Sequence, residues 1–257
     1  MNENLKTRFW EIDLLRGLAI ILMIIFHFIF DLNYFNIYNF NLSSGFLWWF
    51  ARIIASIFIL LVGVSLTLSY SRNRLLKINV KKHSYFIKYL KRGLKIFFYG
   101  LLITIITWIF LKEDLIIFGI LHFIGLAIIL EYPFIKYKYL NLTMGMVIIL
   151  SGIFLSFFRF EFYYLTWLGF IPYNLYTVDY FPLLPWLGIV SLGLFLGNML
   201  YPNYQRIYHS PDLSKKISVK FLCFLGRNSL IIYLIHQPIL IAVLYLYGGL
   251  NITLLSI

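Results

Sequence analysis

Long apolar runs separated by short polar segments dominate the chain, and their lengths are typical of helices that cross a membrane. A helix needs about 20 mostly apolar residues to span the hydrocarbon core of a bilayer. About seven runs approach that length, whereas the tail at 247–257 is too short to cross again. The predicted spans are residues 12–32, 46–70, 94–111, 115–131, 142–158, 183–200 and 221–245.

Composition agrees with this pattern and indicates no separate soluble domain. Of the 257 residues, 61% are hydrophobic and only 12% are charged, whereas soluble domains are about half apolar and a quarter charged. We therefore expect an all-α membrane protein, a bundle of about seven transmembrane helices, in one polytopic domain covering residues 1–257. Asp13 and Arg16 interrupt the first run, so we expect a retained span instead of a cleaved signal peptide.

Positive charges gather on one side of the predicted spans, most densely in the connection at 72–95. This asymmetry predicts a cytoplasmic N-terminus and a multi-pass protein of the plasma (inner) membrane, with membrane lipids as partners. The same asymmetry accounts for the net charge of +12, so we exclude nucleic acid as a partner. Aromatic residues interleave with the lysines of this connection, so we expect an amphipathic helix on the inner surface before the third span.

Two other features bound the architecture. The segment at 159–182, predicted to be extracytoplasmic, is aromatic and polar without a clean span, and we expect a re-entrant or capping structure there. The single cysteine, Cys223, excludes an intramolecular disulfide and is expected to be a small buried side chain. A homo-oligomer is left open.

Ionisable side chains inside the spans point to function, because a charge at the bilayer centre costs at least a few kcal/mol. By helical rise, His27, His122 and His236 lie at a similar depth near the outer surface, and Arg52 lies about 9 Å below that surface. Asp31 follows His27 by four residues and shares its helix face. An acid beside a histidine fixes its tautomer, so this pair is a candidate base and orienting group, with a polar clasp between helices as the alternative.

A second polar cluster lies at the predicted inner ends of the first and last spans. Arg16 follows Glu11 and Asp13, and arginine there can pair with the acids or bind a phosphate through two donors. Eleven residues separate Arg16 from His27, about 16 Å along a helix, a gap that an extended pantetheine arm spans. A CoA nucleotide at the inner face could thus present its thioester near the outer histidines. Three consecutive polar residues begin the last span: Arg227, Asn228 and Ser229.

Further polar positions have both a structural and a binding interpretation. His122 has glycines on both sides, which close helix packing or a ligand beside the backbone would explain. Asp179 is either a helix cap or a contact to a polar acceptor. Tyr233 and Gln237 share a helix face just before Pro238, a combination that suggests a cavity. No local spacing matches a metal site, so no metal is expected.

Four segments, in this order, resemble the prokaryotic relatives of heparan-α-glucosaminide N-acetyltransferase. They are residues 11–31, 119–125, 179–188 and 226–238. The resemblance covers nearly the whole chain and implies a polytopic transmembrane acyltransferase. Cytosolic acetyl-CoA would be the donor, and a sugar or envelope glycan on the far side of the membrane would be the acceptor.

The resemblance also implies roles for individual residues. A first-span histidine is the favoured catalytic residue in the wider group of bacterial membrane acyltransferases, and that role falls on His27. It would act either as general base or as the nucleophile of an acetyl-imidazole intermediate. The expected sets are catalytic His27, Asp31, His122 and His236, donor-binding Arg16, Arg227, Asn228 and Ser229, and acceptor-binding Asp179, Tyr233, Gln237 and Arg52.

A proton-coupled carrier is the main alternative, because intramembrane histidine and aspartate also serve as proton relays. The chain shows no internal repeat of the kind many carriers have. Its ionisable groups also lie near the two membrane faces instead of the midplane. A structural membrane protein with polar clasps is a third possibility.

Overall fold

The computed structural model describes residues 8–76, 82–111, 115–209 and 211–246. Apolar periodicity and length give this part of the chain α-helices joined by short turns and 3-10 helices. The α-helices are α1 (Trp10–Tyr34), α2 (Gly45–Leu75), α3 (Lys82–Leu111), α4 (Ile120–Glu131), α5 (Lys138–Leu155), α6 (Leu183–Leu200), α7 (Ile217–Arg227) and α8 (Ser229–Leu246). Extended pairing within the described residues is limited to isolated bridges. The prediction of an all-α membrane protein is confirmed.

Six of these helices are long and apolar enough to cross a membrane, namely α1, α2, α3, α5, α6 and α8. The predicted fourth span is shorter than expected, because α4 begins only at Ile120. The residues before it are extended: Phe118 forms a bridge with Tyr180 and its carbonyl accepts the N–H of Phe181. This pairing, which hydropathy does not reveal, removes a turn from the start of the predicted span.

Two other predicted boundaries are wrong. The basic connection is predicted to lie as an amphipathic helix on the inner surface before the third span. In the structure Arg72 and Arg74 belong to α2, and the residues from Lys82 onward form the first portion of α3, which continues into the membrane-length segment. The predicted last span at 221–245 is broken, because α7 ends at Arg227 and α8 begins at Ser229. Asn228 lies at the break, where its backbone N–H donates to the carbonyls of Phe224 and Leu225.

The chain divides into two compact units, described separately below. Unit 1 consists of the described residues of Met1–Phe58 and Ser210–Ile257, and unit 2 consists of those of Ile59–His209. Helix α2 contributes its first part to unit 1 and its second part to unit 2.

In unit 1, α1 packs against α7 and α8. The approach of α1 to α7 is very close: a Cβ atom on Gly226 would overlap the carbonyl oxygen of Asp13, and one on Gly17 would overlap the carbonyl oxygen of Leu222. Only glycine permits such backbone contact. The predicted burial of Cys223 is confirmed, and its thiol donates to the carbonyl of Trp10 at 3.3 Å.

In unit 2, α3 packs on α4, α5 packs on α6, and α4 also contacts α6. The predicted capping segment at 159–182 is non-helical apart from the 3-10 turn Thr166–Leu168. Phe160 exchanges backbone hydrogen bonds with Ile171 and Tyr173, and the hydroxyl of Tyr180 donates to the carbonyl of Thr166 at 2.8 Å. These bonds give the segment a defined conformation next to the start of α4.

Candidate functional site

Unit 1 brings together two of the three histidines that the sequence placed at one depth. His27 on α1 and His236 on α8 are in edge-to-face contact, with ring centroids 4.7 Å apart and planes at 88°. His27 is half-buried, whereas His236 is only 7% exposed. The sequence predicts a similar depth for these two residues, and in unit 1 their rings are in contact.

Backbone carbonyls fix the tautomers of both rings. His27 Nδ1 lies 2.9 Å from the carbonyl oxygen of Met23, and His236 Nδ1 lies 2.6 Å from that of Tyr233. Because a carbonyl oxygen only accepts, each Nδ1 must carry the hydrogen. The neutral ring then keeps its lone pair at Nε2, which is the basic atom. Both histidines are thus held ready to accept a proton.

Asp31 contacts a different partner from the one the sequence suggested. It is buried, and its Oδ1 accepts a hydrogen bond from the side-chain amide of Gln237 at 2.6 Å. The ring of His27 is oriented by the carbonyl of Met23 instead. Asp31 therefore joins α1 to α8 one helical turn after His27. Its predicted role as the group that orients His27 receives no support from this geometry.

Three buried polar atoms around this pair have no hydrogen-bond partner among the described residues. They are Asp31 Oδ2, His236 Nε2 and Gln237 Oε1. Each is a hydrogen-bond acceptor. Buried polar atoms are rarely left unpaired, because each costs about 1–3 kcal/mol. The site is therefore chemically suited to a molecule that supplies several O–H or N–H donors.

The other predicted acceptor-binding residues of unit 1 lie on α8 and α2. Tyr233 is half-buried, with its ring centroid 5.4 Å from that of His236. Arg52 is exposed, and its guanidinium carbon lies 3.5 Å from the centroid of the Trp48 ring. Tyr233 is thus part of the histidine site, and Arg52 is placed on the same unit by α2.

The second predicted cluster, the arginine cluster of Asp13, Arg16 and Arg227, is built around one buried carboxylate. Asp13 is 4% exposed, and its Oδ1 accepts from Nη1 of Arg16 while its Oδ2 accepts from Nε of Arg227, both at 3.1 Å. Arg16 also reaches the carbonyl of Gly226 at 3.5 Å. The two arginines predicted to bind a phosphate are therefore neighbours, drawn from α1 and α7. Arg227 is half exposed and uses only Nε for Asp13, so its terminal amino groups can meet an anion.

Asn228 and Ser229 have local structural contacts. The side-chain amide of Asn228 donates to the carbonyl of Phe224 at 2.9 Å and so helps to end α7. Ser229 is buried at the start of α8. Their predicted contact with the donor nucleotide stays a prediction.

His122 belongs to unit 2 and has both ring nitrogens engaged there. The backbone N–H of Gly119 donates to Nδ1 at 3.2 Å, so the hydrogen lies on Nε2, which is 3.4 Å from the hydroxyl of Thr104. That hydroxyl donates onward to the carbonyl of Ile116. The ring is 2% exposed and packs against Phe97. This geometry favours a structural role at the start of α4, and the expected convergence with the other two histidines stays a prediction.

Asp179 also acts on the start of α4. Its Oδ2 accepts the backbone N–H of Ile120 at 3.0 Å, so this acid, which lies in the segment before α6, caps α4 instead of α6. Helix N-termini have unpaired N–H groups, which such a carboxylate satisfies. Burial raises the pKa of Asp179 from 3.8 to about 6, and the hydrogen bond from Ile120 opposes that rise.

We expect Asp179→Asn to change how stability depends on pH. Because the pKa of Asp179 is raised in the folded state, the folded protein binds the proton of this carboxyl more tightly than the unfolded chain does. The contribution of the protonated carboxyl to folding stability is therefore greatest below pH 4 and is lost as pH rises through about 6. Asparagine keeps the acceptor for Ile120 and removes the titration. At pH 7.5 the variant should therefore have a higher Tm than wild type, by about 2–4 °C for each kcal/mol of destabilisation that the ionised carboxyl causes. At pH 4.5 the gain in Tm should be small.

Thermal unfolding in detergent across this pH range measures the difference. Glu161→Gln, an exposed carboxyl in the same segment, is the control and should shift Tm equally at both pH values. A Tm difference between Asp179→Asn and wild type that is the same at pH 4.5 and pH 7.5 would contradict the prediction.

Sequence reasoning missed a buried carboxyl in unit 2. Glu131, at the end of α4, is 1% exposed, and its Oε1 lies 2.5 Å from the hydroxyl of Ser191 on α6. The sequence pattern places this residue only at the end of the apolar run at 115–131. Its position in the sequence could have identified it, because an acidic residue at the end of a membrane-length apolar run needs a partner when it is buried.

Comparison with known proteins gives one match. The family model described as "Heparan-alpha-glucosaminide N-acetyltransferase, catalytic" matches residues 8–238. No curated protein and no solved structure matches the chain.

Proposed function

Because the chain belongs to the family of heparan-alpha-glucosaminide N-acetyltransferase catalytic domains, and so is a membrane acetyltransferase, we propose that it moves an acetyl group from cytosolic acetyl-CoA to a sugar on the other side of the membrane. The proposed acceptor group is an amine or hydroxyl of an envelope glycan, and the proposed location is the plasma (inner) membrane. The family favours an enzyme over the proton-coupled carrier.

One observation carries this proposal: α1 holds a polar cluster at each end. Arg16 and His27 are eleven residues apart, which is about 16 Å and about three helical turns, so both side chains lie on one face of α1. Arg16 contacts α7 and His27 contacts α8 on that face. A donor held by its phosphates at one end can therefore extend its pantetheine arm along α1 to the histidine pair.

The arginine cluster suits the nucleotide end of the donor. Arg16 and Arg227 share one carboxylate, Asp13, which fixes two guanidinium groups side by side. Guanidinium groups bind phosphate oxygens with paired hydrogen bonds. Arg227 meets Asp13 through Nε alone, so Asp13 positions this arginine while its terminal amino groups can meet a phosphate.

The histidine pair, together with Asp31 and Gln237, suits a sugar acceptor. The unpaired atoms Asp31 Oδ2, His236 Nε2 and Gln237 Oε1 are all hydrogen-bond acceptors. A sugar offers several hydroxyl or amine hydrogens, and its binding would satisfy polar atoms that are otherwise buried without partners. Asp31 and Gln237 would then position the acceptor, and the histidines would act on it.

The chemistry falls on His27, the more accessible of the two histidines. Its Nδ1–H is held by the carbonyl of Met23, so Nε2 can take a proton from the acceptor amine or hydroxyl. The bond between that nitrogen or oxygen and the acetyl carbon forms, the carbon–sulfur bond breaks, and the CoA thiolate leaves and receives a proton. Direct transfer and transfer through an acetylated His27 both use the same Nε2 atom.

We expect Arg227→Gln to weaken acetyl-CoA binding by about 10–100-fold, because a hydrogen bond to a charged group contributes about 1.5–3 kcal/mol. Equilibrium binding of radiolabelled acetyl-CoA to the detergent-purified protein measures the effect. Arg159→Gln is the matched control, since Arg159 is an exposed arginine of unit 2 that donates only to nearby carbonyls.

The same preparation tests the proposed function as a whole. Saturable binding by wild type, and transfer of label to a sugar, would support it. Absence of acetyl-CoA binding by a protein with an intact thermal unfolding transition would contradict it. Equal affinity in wild type and Arg227→Gln would instead contradict the assignment of the donor site alone.

A further inference from the structure

A buried carboxyl in unit 2 takes no part in the proposed reaction. Glu131, the last residue of α4, is 1% exposed, and Ile128, one turn before it, is equally buried. An ionised carboxylate in such an apolar interior is costly unless a cation or several hydrogen-bond donors stabilise it. The partners of Glu131 therefore decide whether it carries a charge or a proton.

Among the described residues, Glu131 has one hydrogen-bond partner. Its Oε1 lies 2.5 Å from Oγ of Ser191 on α6, a residue with no exposed surface. Its Oε2 is buried and has no hydrogen-bond partner in this part of the chain. An ionised carboxylate offers about four acceptor sites on its two oxygens. A single hydroxyl would leave most of that charge uncompensated.

The helices that pack on α4 offer no cation to this carboxyl. On α6, Leu183–Leu200, the sequence contains no titratable residue. On α3, Lys88 donates through Nζ to the side-chain oxygen of Asn73 at 2.9 Å, and the hydroxyl of Tyr89 lies 3.3 Å from that of Ser69. Three further cations of α3 are exposed, namely Lys91, Arg92 and Lys95.

The residues that follow α4 also direct their polar groups elsewhere. Lys136 and Lys138 each lie over an aromatic ring, with Nζ 4.6 and 5.3 Å from the ring centroid. Tyr132 packs its ring against that of Tyr89, with centroids 5.1 Å apart. Within the part of the chain that the structure describes, Glu131 therefore has no ion pair.

The hydroxyl of Ser191 has a single hydrogen but two oxygen neighbours. Besides Oε1 of Glu131, its Oγ lies 3.2 Å from the carbonyl oxygen of Leu187. Because a carbonyl oxygen only accepts, a serine that donates to Leu187 must receive the other hydrogen from the carboxyl. A neutral Glu131 thus completes a chain in which Oε1–H donates to Ser191 and Ser191 donates to Leu187. Oε2 is then an uncharged carbonyl oxygen.

We propose that Glu131 is a proton-binding site in the interior of unit 2, and that the bound proton joins α4 to α6 through Ser191. The ligand of this site is the proton itself. The inference goes beyond the proposed function and does not depend on it. Loss of the proton would leave a buried charge between the two helices, so their packing should weaken as pH rises.

Infrared difference spectroscopy of the detergent-purified full chain tests the proposal directly. A protonated carboxyl has a C=O stretching band that a carboxylate lacks. At pH 6 the spectrum of wild type minus that of Glu131→Gln should contain one such band. Glu161→Gln, which replaces an exposed carboxyl of the same unit, is the matched control and should remove no such band. Absence of the band from the Glu131→Gln difference spectrum would overturn the proposal.

Ser191→Ala provides a second variant, which also keeps the test decisive if Glu131→Gln does not fold. The carboxyl should remain protonated but lose its hydrogen-bond acceptor. Its C=O band should therefore persist and move to a different frequency than in wild type. Loss of the band, or a band at the wild-type frequency, would show that Ser191 does not receive the proton of Glu131, and the proposed link would be wrong.

Thermal unfolding measures the coupling between the proton and helix packing. The folded chain holds the proton, whereas an unfolded glutamate releases it above about pH 4, so the stabilisation is complete at low pH and is lost as pH rises. Between pH 5 and pH 8.5 the Tm of wild type should fall relative to that of Glu131→Gln, by at most about 5 °C per pH unit. Asp179 titrates in both proteins and cancels.

Two results would overturn this coupling. One is a Tm difference between wild type and Glu131→Gln that stays constant across the pH range. The other is a wild-type Tm that rises with sodium chloride but not with choline chloride, while Glu131→Gln responds to neither salt. That result would mean that Glu131 is ionised and holds a sodium ion instead of a proton.

Discussion

Replacing His27 with alanine should lower the rate of acetyl transfer by at least about 100-fold while acetyl-CoA still binds, because a positioned general base contributes about 10²–10⁴-fold. His27 Nε2 is the accessible basic atom of the histidine pair. The donor's phosphates are expected about 16 Å away at Arg16, so their affinity should change little. Single-turnover transfer of radiolabel to a sugar measures the loss, and equilibrium binding measures the affinity.

The fate of the label separates the two mechanisms that remain open for His27. If the imidazole is the nucleophile, wild type incubated with acetyl-CoA alone should retain label covalently, and His27→Ala should not. If it is a general base, neither protein should retain label, and the two proteins should differ only in the transfer of label to an added sugar. The expected loss of transfer is the same in the two cases.

An exposed histidine provides the control for this substitution. His209 lies on the surface of unit 2, and His209→Ala should keep the wild-type rate. If His27→Ala transferred acetyl groups at a rate within a few-fold of wild type, while unfolding at the wild-type temperature, the catalytic assignment would be wrong. A lowered Tm with proportionate loss of activity would instead indicate a clasp between α1 and α8.

Gly226→Ala should be among the most destabilising single substitutions in unit 1. The added Cβ would overlap the carbonyl oxygen of Asp13, and backbone atoms of two packed helices cannot move aside as a flexible side chain can. Overpacking of this kind costs about 1–3 kcal/mol and sometimes more. We expect a Tm lower by about 2–4 °C for each kcal/mol, together with weaker acetyl-CoA binding, because Arg227 adjoins the displaced residue.

Phe224→Ala is the matched control on the same helix. Phe224 is 61% exposed, whereas the buried residues of α7 are Val219, Cys223 and Gly226, so removing the Phe224 side chain should leave acetyl-CoA affinity unchanged. Thermal unfolding and binding are measured on both variants. Wild-type Tm and affinity in Gly226→Ala would mean that the close approach of α1 and α7 is not maintained in the membrane.

The sequence was sufficient for the fold class and for most spans, because length and hydropathy alone distinguish membrane helices. The span at 183–200 matches α6, Leu183–Leu200. The break at Asn228 was missed because apolar residues continue on both sides of it. The late start of α4 was missed because it depends on pairing of Phe118 with Tyr180, residues distant in sequence.

For the candidate site, helical rise was enough to predict that His27 and His236 lie at a similar depth, and in unit 1 their rings are in contact. The partner of Asp31 could not be predicted in the same way. Four residues along α1 place it on the face of His27, but the amide of Gln237 on another helix is the closer hydrogen-bond donor. Likewise, the capping of α4 by Asp179 needs two segments that only the fold brings together.

Because α1 is continuous, the directions in which its side chains point constrain this enzyme more than the length of the helix does. Helix α1 runs unbroken from Trp10 to Tyr34, so one residue added between Gly17 and His27 would lengthen it by only about 1.5 Å but would rotate everything beyond it by about 100°. His27 would then face away from His236 while Arg16 kept its place beside Gly226. Insertions or deletions in this segment are therefore compatible with the site only when they restore whole turns.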